Sequence, residues 1–405
     1  MIFSNFVEIN PKIRLEKGES YEYVEMGDVV PGNRYVRSSQ TRNYKGGGSK
    51  FENKDVLFAR ITPCLENGKI SQFITDKKNG FGSTEFIIFR GKEGVSDQDF
   101  VYYLASSDIV RKPAEKSMFG ASGRQRVDIS IFDQIEISDF NLEYQKVIAT
   151  LLGALDDLVE VNLRRIGVLE EVARCLYEEW FIHLRYPGHE NTETTQTPHG
   201  PTPKGWNYKP IGKVVDTLGG GTPSTKEPSY WEDGNNNWYT PSDITSNNSI
   251  FITQSSRKIT EKGLKSSSSK RFPAYSLMMT SRATLGELAI NTTEASTNQG
   301  FITMIPTEQL PIYYLYFWVK QNLELIMNLA SGATFKEINK TTFRKIPILV
   351  PGQSIIDQFN EIMNPIGALL ENLIRKNRVL KETRDLLLPK LISGEIDVSD
   401  VDIQL

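Results

Sequence analysis

Cysteine and histidine are nearly missing from this chain of 405 residues, which has only Cys64 and Cys175 of the first and His183, His189 and His199 of the second. Two distant thiols without a CxxC exclude a disulfide framework and a cysteine-ligated zinc site, and the three histidines, gathered in one stretch, lack metal-ligand spacing. Long apolar runs are missing as well. No window offers about 18 uninterrupted apolar residues, and "MIFSNFVEINPKIRLEKG" lacks a basic region followed by an apolar stretch, so neither a membrane span nor a secretory signal is expected. A soluble protein of the reducing cytoplasm is the expectation. Basic excess, the usual electrostatic footprint of a nucleic-acid binder, is also lacking: the formal net charge is -3 and the pI about 5.9. Catalytic signatures are absent too. "KGGGSK" (Lys45–Lys50) lacks the phosphate-loop spacing, "LGGGTPSTKEP" (Leu218–Pro228) is not a dinucleotide fingerprint, and G-x-S-x-G does not occur. The chain reads as non-catalytic, with no metal and no cofactor of its own.

What is present is a soluble globular composition, 39% hydrophobic and 24% charged, in a chain long enough for two or three domains. It is written twice. "NKDVLFARITPCLENGKI" (Asn53–Ile70) is answered by "PAYSLMMTSRATLGELAI" (Pro273–Ile290), and "GSTEFIIF" by "STNQGFITMI" (Ser296–Ile305). "GASGRQRVDISIFDQIEI" (Gly120–Ile137) parallels "ASGATFKEINKTTFRKIPI" (Ala330–Ile348), and each leads into a long helical stretch carrying a further echo, "LLGALDDLVEVN" and "PIGALLENLIRKN". The order domain, helix, domain, helix follows. The boundaries read as a first domain over 1–141, a central helix over 142–184 and a linker of Pro, Thr and Gly over 185–205. A second domain over 206–351, a C-terminal helix over 352–393 and an acidic tail over 394–405 complete it.

Both helices carry a heptad seam. In the first, Leu152, Val159, Ile166, Ala173 and Trp180 form the a row and Leu155, Asn162, Leu169 and Leu176 the d row. In the second, the a row is Ile356, Met363, Leu370, Asn377, Arg384 and Leu391, and the d row Phe359, Ile366, Leu373, Leu380 and Leu387. Antiparallel pairing that sets Asn162 against Asn377 brings Trp180 to Phe359, Leu152 to Leu387 and Ile148 to Leu391. Only Leu155 against Arg384 mismatches. A buried Asn pair disfavours slipped registers, which would bury an amide without a partner. Helices of about 40 residues reach ~60 Å, the length of ~18 base pairs. Pro365 lies off the seam, and Pro389 is expected to kink or end the second helix.

The globular halves interleave Arg and Lys with Tyr, Trp, Asn, Gln, Ser and Thr, which is contact chemistry for phosphates and base edges. Local basic patches run over 31–60 and 257–271 within the acidic total. "SGRQRV" (Ser122–Val127) and "SGATFK" (Ser331–Lys336) occupy matching places in the two halves, while Trp231, Trp238 and Tyr239 read as core of the second domain.

At these residues the chain resembles the specificity subunits of type I restriction-modification systems. "GGGTPSTKEPSYWEDGNNNWYTPSDI" (Gly219–Ile244) looks like the opening of a target recognition domain in that family, "FARITPCLENGK" with "GSTEF" like the body of another subtype, and "LLLPKLISGEI" (Leu386–Ile396) like its closing phrase. The resemblance covers essentially the whole chain, although the first half shows "ESYEYVEMGDVVPGNRYVR" (Glu19–Arg37) where the "GGTPS…W" opening would stand. It implies an α+β fold: two target recognition domains, alternating with two long helices paired as an antiparallel coiled coil. It also implies double-stranded DNA with a bipartite target, two methyltransferase subunits using S-adenosylmethionine, and restriction subunits that translocate and cleave using ATP and Mg. The helix pair would dock the methyltransferases and set the gap between half-sites. The expected DNA contacts are Arg34, Arg37, Arg42, Arg60, Arg124, Gln125 and Arg126 in the first domain. In the second they are Lys226, Lys270, Arg271, Ser281, Arg282, Asn298, Gln299 and Lys336. A coiled-coil adaptor that binds protein only is the alternative. An enzyme joining modification to recognition would need an N/D-P-P-Y/F motif, and "NPIG" (Asn364–Gly367) does not qualify.

Overall fold

The computed structural model describes residues 1–121, 123–247, 249–332 and 336–398. The chain is α+β and divides into two compact units, one made of Arg165–Ile374 and the other of the residues on either side of it. Each unit therefore takes part of both long helices.

In the first unit the fully buried strand Val56–Ala59, an unbroken apolar run, lies at the centre of a five-stranded sheet. The order is Val7–Ile9, Phe86–Gly91, Val56–Ala59, Ile70–Phe73, Tyr35–Val36, with only the last pair parallel. A four-stranded sheet, Gln40–Asn43, Ser20–Val24, Asn79–Gly82, Ser49–Glu52, accompanies it. Helix Gln98–Ser106 is started by Asp97, whose carboxylate accepts from the Asp99 and Phe100 amides, and it buries its Phe100 to Ala105 stretch in the core.

The second unit repeats this order with Asp216–Gly219, Phe301–Ile305, Leu277–Thr280, Leu288–Asn291 and Phe251–Ile252, again with only the last pair parallel. Its smaller sheet is Arg257–Ile259, Asn236–Tyr239, Ala295–Thr297, in which the second and third strands are parallel, as Ser20–Val24 and Asn79–Gly82 are in the first unit. Ser20–Val24 thus takes the place of Asn236–Tyr239 despite the missing "GGTPS…W" opening. Trp238 and Tyr239 are buried, whereas Trp231 is half-buried beneath the Arg257 guanidinium, 3.6 Å from its ring centre.

The central helix runs Leu142–Tyr177 and continues as a π turn over Glu178–Ile182; the C-terminal helix runs Gln353–Ser393. Asn141 accepts from the Tyr144 amide at the start of the first. Pro365 and Pro389 both lie within the second, so of the kink or stop expected at Pro389 the stop does not occur. The helix ends at Ser393, and Gly394 just beyond it has a positive φ that lets the chain turn while the Ile396 amide returns to the Lys390 carbonyl. The expected linker is also corrected: Thr194–Thr197 pairs antiparallel with Gly200–Pro203, because β-branched threonines flank a Pro-His turn, and Tyr186 stacks on Trp206 in the core. Ile396 and Val398 of the supposed tail pack on the first unit's core; Asp400 and Asp402 lie outside the described residues.

Within the first unit the Asn162 amide donates to the Asn377 side-chain oxygen at 2.8 Å, and Asn377 reaches the Val159 carbonyl at 3.4 Å. Within the second, Trp180 and Phe359 lie 6.1 Å apart by ring centres. The misfit residue Arg384 is buried and turns to Asp156 at 2.6 Å. Replacing Asn377 with leucine is expected to lower stability by about 1–3 kcal/mol, since it leaves the Asn162 amide buried and unpaired. The double variant N162L/N377L should recover that loss in urea unfolding. A double variant less stable than either single one would show that the amide pair does not govern the seam.

Candidate nucleic-acid interface

The first unit gathers four of its expected contacts at one end of the central sheet. Beyond strand Val56–Ala59 the chain enters Arg60 and Ile61, and the 119–127 segment folds back on them: Phe119 and Ile61 both bridge to Arg126, the Thr62 amide donates to the Gln125 carbonyl at 3.0 Å, and the Val127 amide to the Arg60 carbonyl at 2.8 Å. The Arg60 amide donates to the Glu85 carbonyl at 2.9 Å, which brings the start of strand Phe86–Gly91 alongside. Arg126 then grips the Glu85 carboxylate, Nε at 3.0 and 3.1 Å and Nη2 at 2.6 Å. That hydrogen bond, with the carboxylate's charge, raises the Arg126 guanidinium above its ordinary pKa. Arg124 is exposed with no side-chain partner among the described residues, and the buried Arg60 Nε likewise lacks a hydrogen bond there. Ser122 lies outside the described residues.

The second unit builds the same backbone frame with different side chains. The Ser281 amide donates to the Gly300 carbonyl at 2.8 Å, the Ile338 amide to the Ser281 carbonyl at 3.0 Å, and Arg282 and Ser331 both bridge to Glu337. By these bonds Arg60 corresponds to Ser281, Ile61 to Arg282, Glu85 to Gly300, and Arg126 to Glu337. Lys336 is exposed beside Glu337; positions 333–335 of "SGATFK" lie outside the described residues. A Cβ on Gly300 would meet the Asn298 side-chain oxygen at 3.1 Å and Arg282 Nε at 3.6 Å, so these two expected contacts share one spot. Gln299 accepts from the Thr222 hydroxyl at 2.6 Å. Gly220 makes that possible, for a side chain there would run into the Thr297 and Asn298 carbonyls at 2.2 and 2.1 Å. Of the "GGGTPS" glycines, Gly220 and Gly221 serve a close backbone approach.

The remaining expected contacts lie apart from these clusters. Arg34 is a correction. It is buried with its guanidinium on Gln72 at 2.7 Å, Asp99 at 2.8 Å and the Tyr103 hydroxyl at 3.2 Å, an internal charge already satisfied. Burial works to raise the Asp99 carboxyl, but Arg34 and Lys54 overcome it and the net shift is downward. Ser281 is a second correction: it is buried at the end of its strand and works through its main chain. Arg37 is exposed 3.7 Å from Glu160 on the central helix, and Arg42, on an edge strand, is tied to Glu25 and lies 3.8 Å over the Tyr23 ring. Arg271 is held by Glu261 and Asn236, and its hydrogen bond keeps the Glu261 carboxyl below its ordinary pKa. Lys226 and Lys270 are exposed on loops. Glu85, Thr222 and Glu337 were not among the expected contacts. Alignment of the two halves carries the signal, since Glu85 stands opposite a glycine.

Among the described residues no helix is long and apolar enough to cross a membrane, and no group of His, Cys, Asp and Glu is placed to hold a metal ion.

The model of the type I restriction modification DNA specificity domain matches residues 8–171 and again 203–382. The MjaIX specificity subunit of a type I restriction enzyme from Methanocaldococcus jannaschii is 34% identical over 193 residues, covering 47% of this chain and 44% of the relative. The HindI specificity subunit from Haemophilus influenzae is 25% identical over 92% of this chain and 94% of its own. The chain thus spans under half of the first relative and nearly all of the second. In fold it is similar to the crystal structure of a type I restriction-modification S subunit from M. genitalium, with a TM-score of 0.53 at 15% identity over 96% of this chain and 95% of that one.

Proposed function

The chain belongs to the type I restriction modification DNA specificity family, and on that premise we propose that it is the sequence-reading subunit of such a complex. Each unit reads one half of a bipartite site in double-stranded DNA. The observation that carries this is the repeated frame at the sheet end: two sets of equivalent backbone hydrogen bonds present Arg60, Arg124, Gln125 and Arg126 in one unit and Arg282, Asn298, Gln299 and Lys336 in the other. Arginine and lysine suit phosphates and guanine, asparagine and glutamine suit adenine, and different side chains on one frame suit two different half-sites. The acidic total leaves sequence-independent attraction to the partner subunits.

The helix pair sets the gap between half-sites and docks two methyltransferase subunits. Supporting the docking, the first unit exposes Leu151, Leu158 and Val161 on the central helix and Val379 and Leu386 on the C-terminal one, apolar side chains directed away from the seam. Restriction subunits complete the complex. S-adenosylmethionine, ATP and Mg belong in this scheme to the partners, and this chain performs no chemistry itself.

Mapping methylated adenines across the genome of cells with and without the gene tests the proposal. Loss of one bipartite motif on deletion is expected. An unchanged map in a strain whose methyltransferase subunits are expressed would defeat it in favour of a protein-only adaptor.

A further inference from the structure

Among the described residues gathered at the first unit's reading end, Arg126 and Glu85 pair as opposite charges, and the geometry leaves part of the guanidinium uncommitted. An arginine carries five N–H donors. Glu85 takes the Nε proton and one from Nη2, at 2.6 to 3.1 Å, so both Nη1 protons and the second Nη2 proton have no partner among the described residues. The free edge is therefore the Nη1/Nη2 edge, whose two parallel donors match the O6 and N7 acceptors of a guanine in the major groove. Glu85 is the less exposed of the two, at 22% against 45% for Arg126. Its main chain is fixed: the Glu85 amide donates to the Ser83 hydroxyl at 3.2 Å and its carbonyl accepts from Arg60. The carboxylate is the anchored partner and the guanidinium the presented one.

We infer that Glu85 is a positioning residue for base recognition: it clamps one edge of Arg126 so that the other is held ready for a guanine in the first half-site. Two effects follow. An arginine tethered by a bidentate carboxylate has lost its rotamer freedom before DNA arrives, so little more is lost on binding. The same carboxylate repels phosphate and restrains Arg126 from swinging to the DNA backbone, where it would attract every sequence equally. Without the clamp Arg126 becomes a generic phosphate contact. The second unit lacks this device, with Gly300 and Glu337 at the corresponding positions, so the effect is confined to one half-site.

This inference rests on the DNA-reading function, and the experiment separates the two. The full chain in complex with its methyltransferase subunits is selected on a DNA library randomised across the bipartite target, using wild type, Glu85→Gln, Glu85→Asp and Arg126→Ala. Wild type should return one bipartite motif with an invariant G·C pair in the first half-site. Glu85→Gln should broaden that pair alone, with the preference for guanine falling about tenfold, while the other letters and the second half-site stay as they were. Glu85→Asp, which keeps the carboxylate, should restore part of the preference. An unchanged motif with Glu85→Gln overturns the inference, and so does a loss of binding that is uniform or complete, since that is the mark of a structural role. A wild-type complex that selects no bipartite motif defeats the DNA-reading function itself.

Discussion

Replacing Asp156 with alanine is expected to destabilise the first unit by about 3–5 kcal/mol, the loss associated with breaking one side of a buried ion pair. Asp156 is buried on the central helix, where its carboxylate accepts from Arg384 at 2.6 Å and from the Tyr103 hydroxyl at 2.7 Å. Burial pushes the Asp156 carboxyl up, and Arg384 and Tyr103 offset only part of that rise. Arg384 also donates to the Gly32 carbonyl at 3.0 Å and to Asp385 at 2.8 Å. In the alanine variant a guanidinium and a phenol remain buried without their acceptor. Asp385 is 63% exposed, and Asp385→Ala should therefore stay within about 1 kcal/mol of wild type. Removing both charges with Asp156→Leu and Arg384→Met should recover most of the loss, because an apolar pair of similar volume needs no partner. Urea unfolding of the full chain measures all three. An Asp156→Ala midpoint indistinguishable from that of Asp385→Ala would show that the ion pair contributes nothing.

The seam was legible in the sequence because a heptad is a local property: spacing, two asparagines and aromatic residues at one end define which residues face inward. Arg384 was legible only as a misfit. Its partners distant in sequence are Asp156, one position off the d row, and the Gly32 carbonyl of a loop, and no periodicity reports either. Arg34 failed for the same reason. In sequence it is one cation among loop arginines, tyrosines and asparagines, which is how a binding surface also reads. Asp99, 65 residues further on, and Tyr103 make it internal. The clusters at the sheet ends were partly legible, because the duplicated phrases place Arg60, Arg126, Ser281 and Lys336 near corresponding turns. Which side chains meet there depends on backbone bridges between segments more than fifty residues apart. Proline and glycine misled in one place: Pro389 can stand within a helix whose final stop is supplied by Gly394.

The shared "GAL" of the two long helices reads in sequence as an echo, and its glycines lie off the a and d rows; they have a use the heptad does not describe, and a second large effect is expected from it. At Gly367 an added Cβ would sit 1.6 Å from the Tyr313 hydroxyl oxygen and 2.2 Å from its Cζ. Tyr313 is buried on helix Ile312–Gln321 within the second unit's core and cannot yield by turning into solvent. Gly367→Ala should therefore lower stability by about 3 kcal/mol, an overpacking effect that outweighs the gain of roughly 1 kcal/mol from alanine's helix propensity. Gly167, on the central helix, has nothing within 4 Å of its would-be Cβ. There only the propensity acts, and Gly167→Ala should raise stability by up to about 1 kcal/mol. Opposite signs from one chemical change are the test, read as shifts in the urea midpoint. Adding Tyr313→Leu to Gly367→Ala should relieve part of the loss, since the phenol ring is what the new methyl meets. If Gly367→Ala is as stable as wild type, the approach of Tyr313 does not constrain that position. At Gly153, the counterpart in the other helix, the nearest atom is Arg34 Nη1 at 2.9 Å, with the Tyr103 hydroxyl at 4.0 Å. Each helix has thus kept a glycine where a polar side chain of its own unit crosses it, one from a tyrosine and one from an arginine. That close crossing, repeated in both units, gives the echo a cause in packing.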